Sequence, residues 1–268
     1  MMRPSHKTRS PEAIASVSIQ YATGADKFVE TPLKGEQLAG LMRCMSRLVG
    51  TRKDVRLLDL GCGTGPYTIS LAKNLGYETV GADCSEFALN VARRKPNSDL
   101  VRWEKQDAQC LNYENASFDI VFMSNLLDLI RNPHVVVREC FRVLKPGGLL
   151  VYHYGALEDI LREPEHKFFP ETVEFDYLRT PARKQVESWF REVSLSEVTS
   201  ERDTYRPWKS AQERLVAVEE KANISLQMLD FQSYNEGLSR LRAYCVSNPL
   251  DPWLREQTLT TTYGRKVS

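Results

Sequence analysis

The stretch LLDLGCGTGPY, residues 57–67, decides the fold. An apolar run ends at an acid and opens into glycines at alternate positions, and a helix-forming segment follows. Glycine tolerates positive φ and has no Cβ, so the backbone of such a turn can approach a ligand closely. The amides at the start of the helix are free to donate hydrogen bonds to that ligand. The stretch therefore predicts a strand–turn–helix unit with a binding site at the turn.

Strands and helices alternate around this unit as far as residue 155. The apolar runs that predict strands are VRLLDL (55–60), YETVGADCS (77–85), DLVRWEKQDA (99–108), SFDIVFMSN (117–125) and LLVYHY (149–154). Helical periodicity between most of these runs indicates βαβ units, and such units build a parallel sheet. The predicted fold class is α/β, a doubly wound, Rossmann-like, mainly parallel sheet.

The chain divides into four predicted parts. Residues 1–19 are basic and polar and predict a disordered tail, with a mitochondrial presequence as the alternative. Residues 20–155 form the predicted core. Residues 156–250, rich in prolines and aromatics, predict a helical lid together with a remaining core strand. Residues 251–268 contain TLTTTYGRK, which predicts a C-terminal edge strand that completes the sheet.

Composition excludes several classes of protein. The 36 basic and 35 acidic residues nearly cancel, so charge gives no reason to expect a nucleic-acid partner. The six cysteines include no CxxC pair, and this spacing predicts reduced thiols in the cytoplasm and no metal site. No apolar run reaches the roughly 20 residues of a membrane span.

Acids near the turn predict the chemistry of the ligand. The pattern GxGxG differs from the GxGxxG of dinucleotide folds and from the P-loop. Asp59, two residues before the first glycine, would repel a phosphate and attract a cationic amine. Asp83 ends the second strand, where a carboxylate can accept hydrogen bonds from a ribose diol, and Asp107 follows the third strand in the same way. A ligand with an ammonium, a ribose and an adenine but no phosphate fits, and S-adenosylmethionine is such a ligand.

Five motifs stand in the order typical of one family: LLDLGCGTG, VGADCS, QDAQCL, FDIVFMSNLLDLI and RVLKPGGLLVY. Over about residues 20–155 the chain resembles the class I S-adenosylmethionine-dependent methyltransferases, most of all the ubiquinone/menaquinone-biosynthesis type. The resemblance implies a seven-stranded sheet with the last strand antiparallel, S-adenosylmethionine as cofactor and S-adenosylhomocysteine as product. It also implies a cofactor-binding set made of Tyr21, Asp59, Gly61, Cys62, Gly63, Gly65, Asp83, Cys84, Asp107, Ala108, Ser124 and Asn125.

Within that set the resemblance implies distinct roles. The turn and Asp59 would hold the methionine end, Asp83 the ribose and Asp107 the adenine amine. Ser124 and Asn125 would face the reacting methyl group. Tyr21 would close over the cofactor.

Methyl transfer is an in-line displacement from a donor that is already activated, so positioning is the main task of the protein. A base is needed only where the acceptor must lose a proton. The candidates for that base are His153 at the end of the fifth strand, Asp128 shortly after the fourth strand, and His166 in the lid. The lid aromatics form either an acceptor wall or the lid's own core; they are Phe168, Phe169, Phe175, Tyr177, Trp189 and Trp208.

The predicted function is methyl transfer to an oxygen, nitrogen or carbon of a small organic acceptor, with an aromatic or apolar molecule as one option. The predicted state is a monomer or homodimer. One alternative is a methyltransferase acting on tRNA or protein, and another is a catalytically silent scaffold that binds the cofactor. A nicotinamide oxidoreductase would need a Tyr-xxx-Lys pair on a helix, and the only match by letters, YRPWK (205–209), contains a proline.

Overall fold

The computed structural model describes residues 33, 35–50, 52–220, 224–251 and 256–267. Its strands are β1 (Arg56–Leu60), β2 (Glu78–Asp83), β3 (Val101–Lys105), β4 (Phe118–Ser124), β5 (Leu144–Tyr154), β6 (Leu195–Tyr205) and β7 (Gln257–Lys266). Its α-helices are α1 (Gly35–Val49), α2 (Pro66–Leu75), α3 (Glu86–Ala92), α4 (Pro133–Val143), α5 (Leu157–Ile160), α6 (Thr172–Arg179), α7 (Arg183–Glu192), α8 (Ala211–Glu219), α9 (Ile224–Gln227) and α10 (Phe231–Ser247). Short 3₁₀ turns lie at Ser98–Leu100 and Pro164–Lys167.

The strands form one seven-stranded sheet in the order β3-β2-β1-β4-β5-β7-β6. The pairs among β1 to β5 are parallel, and β7 pairs antiparallel with both β5 and β6. The predicted α/β fold class, with seven strands of which the last is antiparallel, is therefore confirmed. The strand order reverses between β1 and β4, and in open α/β sheets ligands bind at the carboxyl ends of the strands at such a point.

The position of β7 corrects the expectation of an edge strand at 251–268. β7 lies between β5 and β6, and β6 forms the edge. Thr260, Thr261 and Thr262 are fully buried. Threonine is common in strands of either kind because its branched side chain fits a pleated surface, so composition does not distinguish an inner strand from an edge strand.

The described residues form three apolar clusters. One lies on the face of the sheet covered by α4 and α7, and the second lies on the opposite face under α1 and α2. The third lies within the lid and joins Phe169 to residues of α8, α9 and α10. The segment 156–250 therefore supplies both a lid with its own core and two elements of the sheet domain, α7 and β6.

Candidate functional site

The glycine turn after β1 is held against β2 by the backbone. The amides of Gly61 and Cys62 donate to the carbonyl of Ala82 at 2.8 and 3.0 Å. Gly61, Gly63 and Gly65 have φ values of 73°, 55° and 78°, a region that favours glycine. A Cβ on Gly61 would lie 2.7 Å from the side chain of Leu126. The turn needs glycine for its backbone conformation and for its packing.

Asp83 connects the turn to the end of β2. One carboxylate oxygen accepts from the Gly63 amide at 2.9 Å, and the other accepts from the Ser85 amide at 2.8 Å. These two bonds fix the orientation of a carboxylate that lines a large cavity. Cys84, Asp107 and Ala108 line the same cavity. The Asp107 carboxylate also accepts from the Gln109 amide at 2.9 Å.

Asp59 lies beneath the turn and does not line the cavity. It is fully buried, and one of its oxygens accepts from the Thr68 hydroxyl at 2.6 Å. Burial, followed by the nearby charge of Asp83, raises its pKa to about 7 even though the Thr68 bond lowers it. Gly65 is also outside the cavity lining, because its backbone packs against the ring of Trp103.

Ser124 and Asn125 line the cavity at the end of β4. Asn125 has a φ of 45°, its amide donates to the carbonyl of His153, and its side-chain oxygen accepts from the Gly155 amide at 3.3 Å. Left-handed backbone at a non-glycine residue is uncommon and is several-fold enriched in asparagine. The structure thus brings the ends of β1, β2 and β4 and the loop after β3 to one cavity, as the sequence predicts.

The cavity has a volume of about 870 Å³ and extends from the glycine turn to the lid. Such a volume lies within the range of about 300–1,000 Å³ typical of small-molecule sites. Among the described residues around the turn, the charged side chains that line it are the carboxylates Asp83 and Asp107. This end of the cavity therefore suits a cationic or neutral ligand better than a phosphate.

At the other end, charged side chains of the lid form a network with Asp128, which follows β4. Arg179 donates to Asp128 at 2.5 Å and to Asp176 at 2.9 and 3.1 Å. Asp176 pairs through its second oxygen with Nε2 of His166 at 3.1 Å and accepts from the Ser225 hydroxyl at 2.5 Å. All five residues line the cavity. Two of the three predicted base candidates, Asp128 and His166, are therefore brought together here.

Burial raises the pKa of the Asp176 carboxyl, but the His166 bond, the Arg179 charge and the Ser225 bond outweigh burial and hold the pKa below its usual range. A second buried pair, Arg214 with Glu165, lines the cavity nearby, and the Arg214 guanidinium lies 4.7 Å from the ring centroid of Trp208. Burial lowers the pKa of Arg214 to about 10.

His153, the third base candidate, lies elsewhere. It is 1% exposed, does not line the cavity, and pairs through Nδ1 with the Thr261 hydroxyl at 2.9 Å. Its ring packs edge-on against Tyr67 with centroids 5.5 Å apart. Burial lowers its pKa to about 4, so the imidazole stays neutral. The geometry gives His153 a structural role between β5 and β7.

Most of the lid aromatics pack away from the cavity. Of the six that the sequence offered as a wall, only Trp208 lines it. Phe168 and Phe169 belong to the lid core, and Trp189 packs under the sheet. Of the two alternatives for these rings, the lid core holds Phe168 and Phe169, and Trp208 alone of the six contributes to the wall of the cavity.

Tyr21 lies outside the described residues. The structure adds cavity residues that the sequence interpretation missed: Gln37, Tyr67, Gln106, Asp176, Arg179, Thr180, Tyr205 and Arg214. The spacing of Asp176 and Arg179 in FDYLR (175–179) is the one signal available for the network, since residues three apart share a helix face.

The described residues contain no group of three or more His, Cys, Asp or Glu side chains arranged to hold a metal ion. They also contain no helix of the length and apolarity that a membrane span requires.

Comparison with known proteins agrees with the geometry. Residues 58–152 match the model of a methyltransferase domain. The demethylmenaquinone methyltransferase of Staphylococcus aureus strain MRSA252 is 41% identical over 106 residues, which are 38% of this chain and 44% of that protein. The chain thus spans less than half the length of this relative.

Solved structures share the fold. A protein of Anabaena variabilis, described as a putative methyltransferase from an antibiotic biosynthesis pathway, has a TM-score of 0.71 at 18% identity, over 84% of this chain and 96% of its own. A phosphoethanolamine N-methyltransferase of Haemonchus contortus, solved with S-adenosylhomocysteine, has a TM-score of 0.60 at 20% identity, over 97% of this chain and 59% of its own. The resemblance to the class I, S-adenosylmethionine-dependent methyltransferases that the motifs indicated is confirmed: residues 58–152 match a methyltransferase-domain model, and these solved structures share the fold.

Proposed function

We propose that the chain binds S-adenosylmethionine along the glycine turn and transfers its methyl group to a small organic molecule held beneath the lid. The observation that carries the proposal is the single cavity that joins the turn of a methyltransferase domain to a lined space under the lid. An acceptor space that lies under the lid and is lined by buried side chains such as Asp128, Asp176 and Arg179 favours a small molecule over tRNA or a protein side chain. When bound, the sulfonium supplies an activated methyl group.

The residues at the turn fit this cofactor. Asp83 is fixed by two backbone amides and lines the cavity where ribose hydroxyls would donate to it. Asp107 and Ala108 offer a carboxylate and a backbone amide to the adenine, and Cys84 lies beside them. Ser124 and Asn125 line the passage toward the lid.

The remaining members of the predicted set support the site at different depths. Gly61, Cys62 and Gly63 line the cavity, whereas Asp59 and Gly65 form the layer beneath. A carboxylate whose pKa lies near 7 would be favoured in its charged form by an ammonium bound above it. Asp59 therefore contributes charge from below the turn.

Calorimetric titration with S-adenosylmethionine and S-adenosylhomocysteine tests cofactor binding. Asp107→Ala should weaken binding of both by roughly 10-fold or more, because a hydrogen bond to a charged group contributes about 1.5–3 kcal/mol. Asp99→Ala changes an exposed acid outside the cavity and serves as the matched control, with affinity equal to that of the wild type. NADH is the control ligand.

Two results would contradict the proposal at different points. If the folded protein binds neither S-adenosylmethionine nor S-adenosylhomocysteine, the cofactor assignment is wrong and the cavity serves some other ligand. Stoichiometric binding without methyl transfer to any acceptor would favour the silent scaffold. Cytoplasmic location and a monomeric or homodimeric state stay predictions, and light scattering of the purified chain would decide the latter.

A further inference from the structure

The loop between β3 and β4, residues 106–117, carries the groups that would recognise adenine, and we call it the adenine loop. Its residues Asp107, Ala108 and Gln109 line the cavity. Most of the loop is exposed, and its buried side chains are those of Ala108 and Leu111. Segments with few buried apolar contacts open easily, so packing alone does not explain how Asp107 keeps its place.

Hydrogen bonds within the adenine loop connect its cavity side to its outer side. The amides of Gln109 and Cys110 donate to the carboxylate and the carbonyl of Asp107 at 2.9 and 3.0 Å. The Asn112 amide donates to the side-chain oxygen of Gln106 at 3.1 Å. Residues 106–112 therefore form a closed turn, and a contact that fixes the outer side of this turn also fixes Asp107.

Arg142 of α4 holds the outer side of the adenine loop. A guanidinium has five N–H donors, and Arg142 makes five hydrogen bonds. Three of them reach the loop, at the carbonyls of Tyr113 and Leu111 (2.6 and 2.9 Å) and at the side-chain oxygen of Asn115 (3.0 Å). The other two form a bidentate pair with Glu139, at 2.9 and 2.8 Å.

Glu139 adds a second connection from the same helix. Its Oε2 atom accepts from the Leu111 amide at 2.8 Å, so the pair binds Leu111 at both its amide and its carbonyl. The Arg142 bond outweighs burial and holds the pKa of Glu139 below its usual range, so the carboxylate is charged at neutral pH. Bidentate, charge-assisted bonds are roughly twice as strong as neutral ones and fix geometry.

We infer that the Glu139–Arg142 pair positions the adenine loop against the ligand and so sets the preference of the site for adenine over other purines. The inference rests on the proposed function, because it concerns how the same cofactor is recognised. Neither Glu139 nor Arg142 lines the cavity. Both are therefore positioning residues, which act through Leu111 and the closed turn without touching the ligand.

The groups that the adenine loop offers distinguish adenine from hypoxanthine. Adenine has an exocyclic amine that can donate to the Asp107 carboxylate, and its N1 has a lone pair that can accept from the Ala108 amide. Hypoxanthine has an oxygen in place of the amine and a proton on N1. A fixed site rejects such a base because its own polar groups would be left without partners. A loop that moves freely loses this selection.

Calorimetric titration with S-adenosylhomocysteine and S-inosylhomocysteine, which differ only in the base, tests the inference. The wild type should prefer S-adenosylhomocysteine by at least about 10-fold. Arg142→Met removes the five donors and keeps a long side chain. Its Kd for S-adenosylhomocysteine should rise by about 10-fold, while its Kd for S-inosylhomocysteine stays within about threefold of the wild-type value. A role confined to fold stability would weaken both ligands equally.

Matched variants and exchange measurements control this result. Arg138→Met changes an exposed arginine one turn earlier on α4, outside the cavity lining, and should keep both wild-type affinities. Glu139→Gln keeps the size of the side chain, and its preference for adenine should fall by about threefold even if Arg142→Met does not fold. Hydrogen exchange should accelerate in residues 107–117 of Arg142→Met but not in β1 or β5.

A double-mutant cycle shows whether the pair acts through the adenine loop. Asp107→Ala removes the carboxylate that the loop presents to the adenine amine. In that background, Arg142→Met should raise the Kd for S-adenosylhomocysteine by no more than about threefold, since the main contact that it positions is already gone.

Three contrary results lead to different conclusions. A wild-type ratio of the two Kd values in Arg142→Met, or in Glu139→Gln where Arg142→Met does not fold, overturns the positioning role, as do effects that multiply in the cycle. A wild type that binds both nucleotides equally shows that the loop does not select adenine, so the inference fails while the proposed function stands. A wild type that binds neither S-adenosylmethionine nor S-adenosylhomocysteine overturns the proposed function itself.

Discussion

Position along a strand and position in a site are separate properties of a residue, and His153 illustrates the difference. The end of a parallel strand is where ligands bind, so the sequence makes His153 a reasonable base candidate. Alternation along β5 decides otherwise: Tyr152 points to one apolar cluster, while His153 packs against Tyr67 and Thr261 on the other face. The face of a buried strand cannot be read from a run in which both sides are apolar.

Acid should destabilise the protein through His153. Its pKa is about 4 in the folded chain and about 6.5 when exposed, so the unfolded chain binds the proton more readily between these values. Stability is therefore complete above pH 6.5 and falls as pH drops toward 4, by up to about 3 kcal/mol. In urea titrations between pH 6.5 and pH 4, the free energy of unfolding of the wild type should fall more steeply than that of His153→Gln. Parallel curves of unfolding free energy against pH for the two proteins would contradict the role of His153 in acid destabilisation. At neutral pH, kcat of the variant should stay near the wild-type value, because His153 does not line the cavity.

At the scale of the element, the contact between β3 and the glycine turn explains why residue 65 is a glycine although it does not line the cavity. Trp103 of β3 lies over both Gly65 and Gly81, where an added Cβ would come within 2.3 and 2.7 Å of the ring. Gly65 thus permits the close packing of the turn against a strand two positions away in the sheet. From the motif alone, Gly65 is predicted to bind the ligand. The sequence does not reveal that the Trp103 side chain packs against it.

Gly65→Ala should destabilise the protein by about 1–3 kcal/mol, the usual cost of overpacking, with the positive φ adding to it. Trp103→Phe removes the ring atoms that the new Cβ would meet. The two substitutions together should therefore cost less than the sum of their separate costs, as a double-mutant cycle of thermal unfolding would show. Strict additivity would mean that the backbone conformation, not Trp103, requires glycine.

Most elements could be predicted from periodicity. The strands expected at 55–60, 77–85 and 117–125 appear at Arg56–Leu60, Glu78–Asp83 and Phe118–Ser124, within two residues of the expected limits. In the YRPWK match, Tyr205 ends β6 and the next four residues precede the helix that begins at Ala211, so Tyr205 and Lys209 do not share a helix. The order of β6 and β7 could not be predicted, because pairing depends on contacts between residues about 60 positions apart.

At the scale of the whole molecule, the sheet domain and the lid have separate cores, and this separation explains where prediction succeeded. The cofactor half of the cavity is built from consecutive strand ends, which local motifs identify. The acceptor half joins Asp128 to side chains between 163 and 227, and no local pattern connects these positions. The choice between an acceptor wall and a lid core for the lid aromatics stayed open for the same reason, since only tertiary packing decides which rings fill the lid core.

The separation also predicts separable losses of function. Leu241 is fully buried in the lid core, and Leu241→Ala should destabilise the lid by about 2–5 kcal/mol. Hydrogen exchange should accelerate in α8 and α10 but not in β1 or β4. The affinity for S-adenosylmethionine should change little while methyl transfer falls. Equal acceleration of exchange in the lid and the sheet would show that they unfold as one cooperative unit.

The inner position of β7 has a consequence for how the chain is made. Ribosomes deliver the polypeptide from its amino end, so β6 leaves the exit tunnel about 50 residues before its neighbour does. Until β7 arrives, the polar groups of β5 along one side and those of β6 have no strand to pair with, and unpaired strands of this kind invite association with other chains. The nascent protein must therefore pass through a stage in which β6 has no partner strand, and protection of β6 during that interval falls to α7 and α1, which precede it and pack against it.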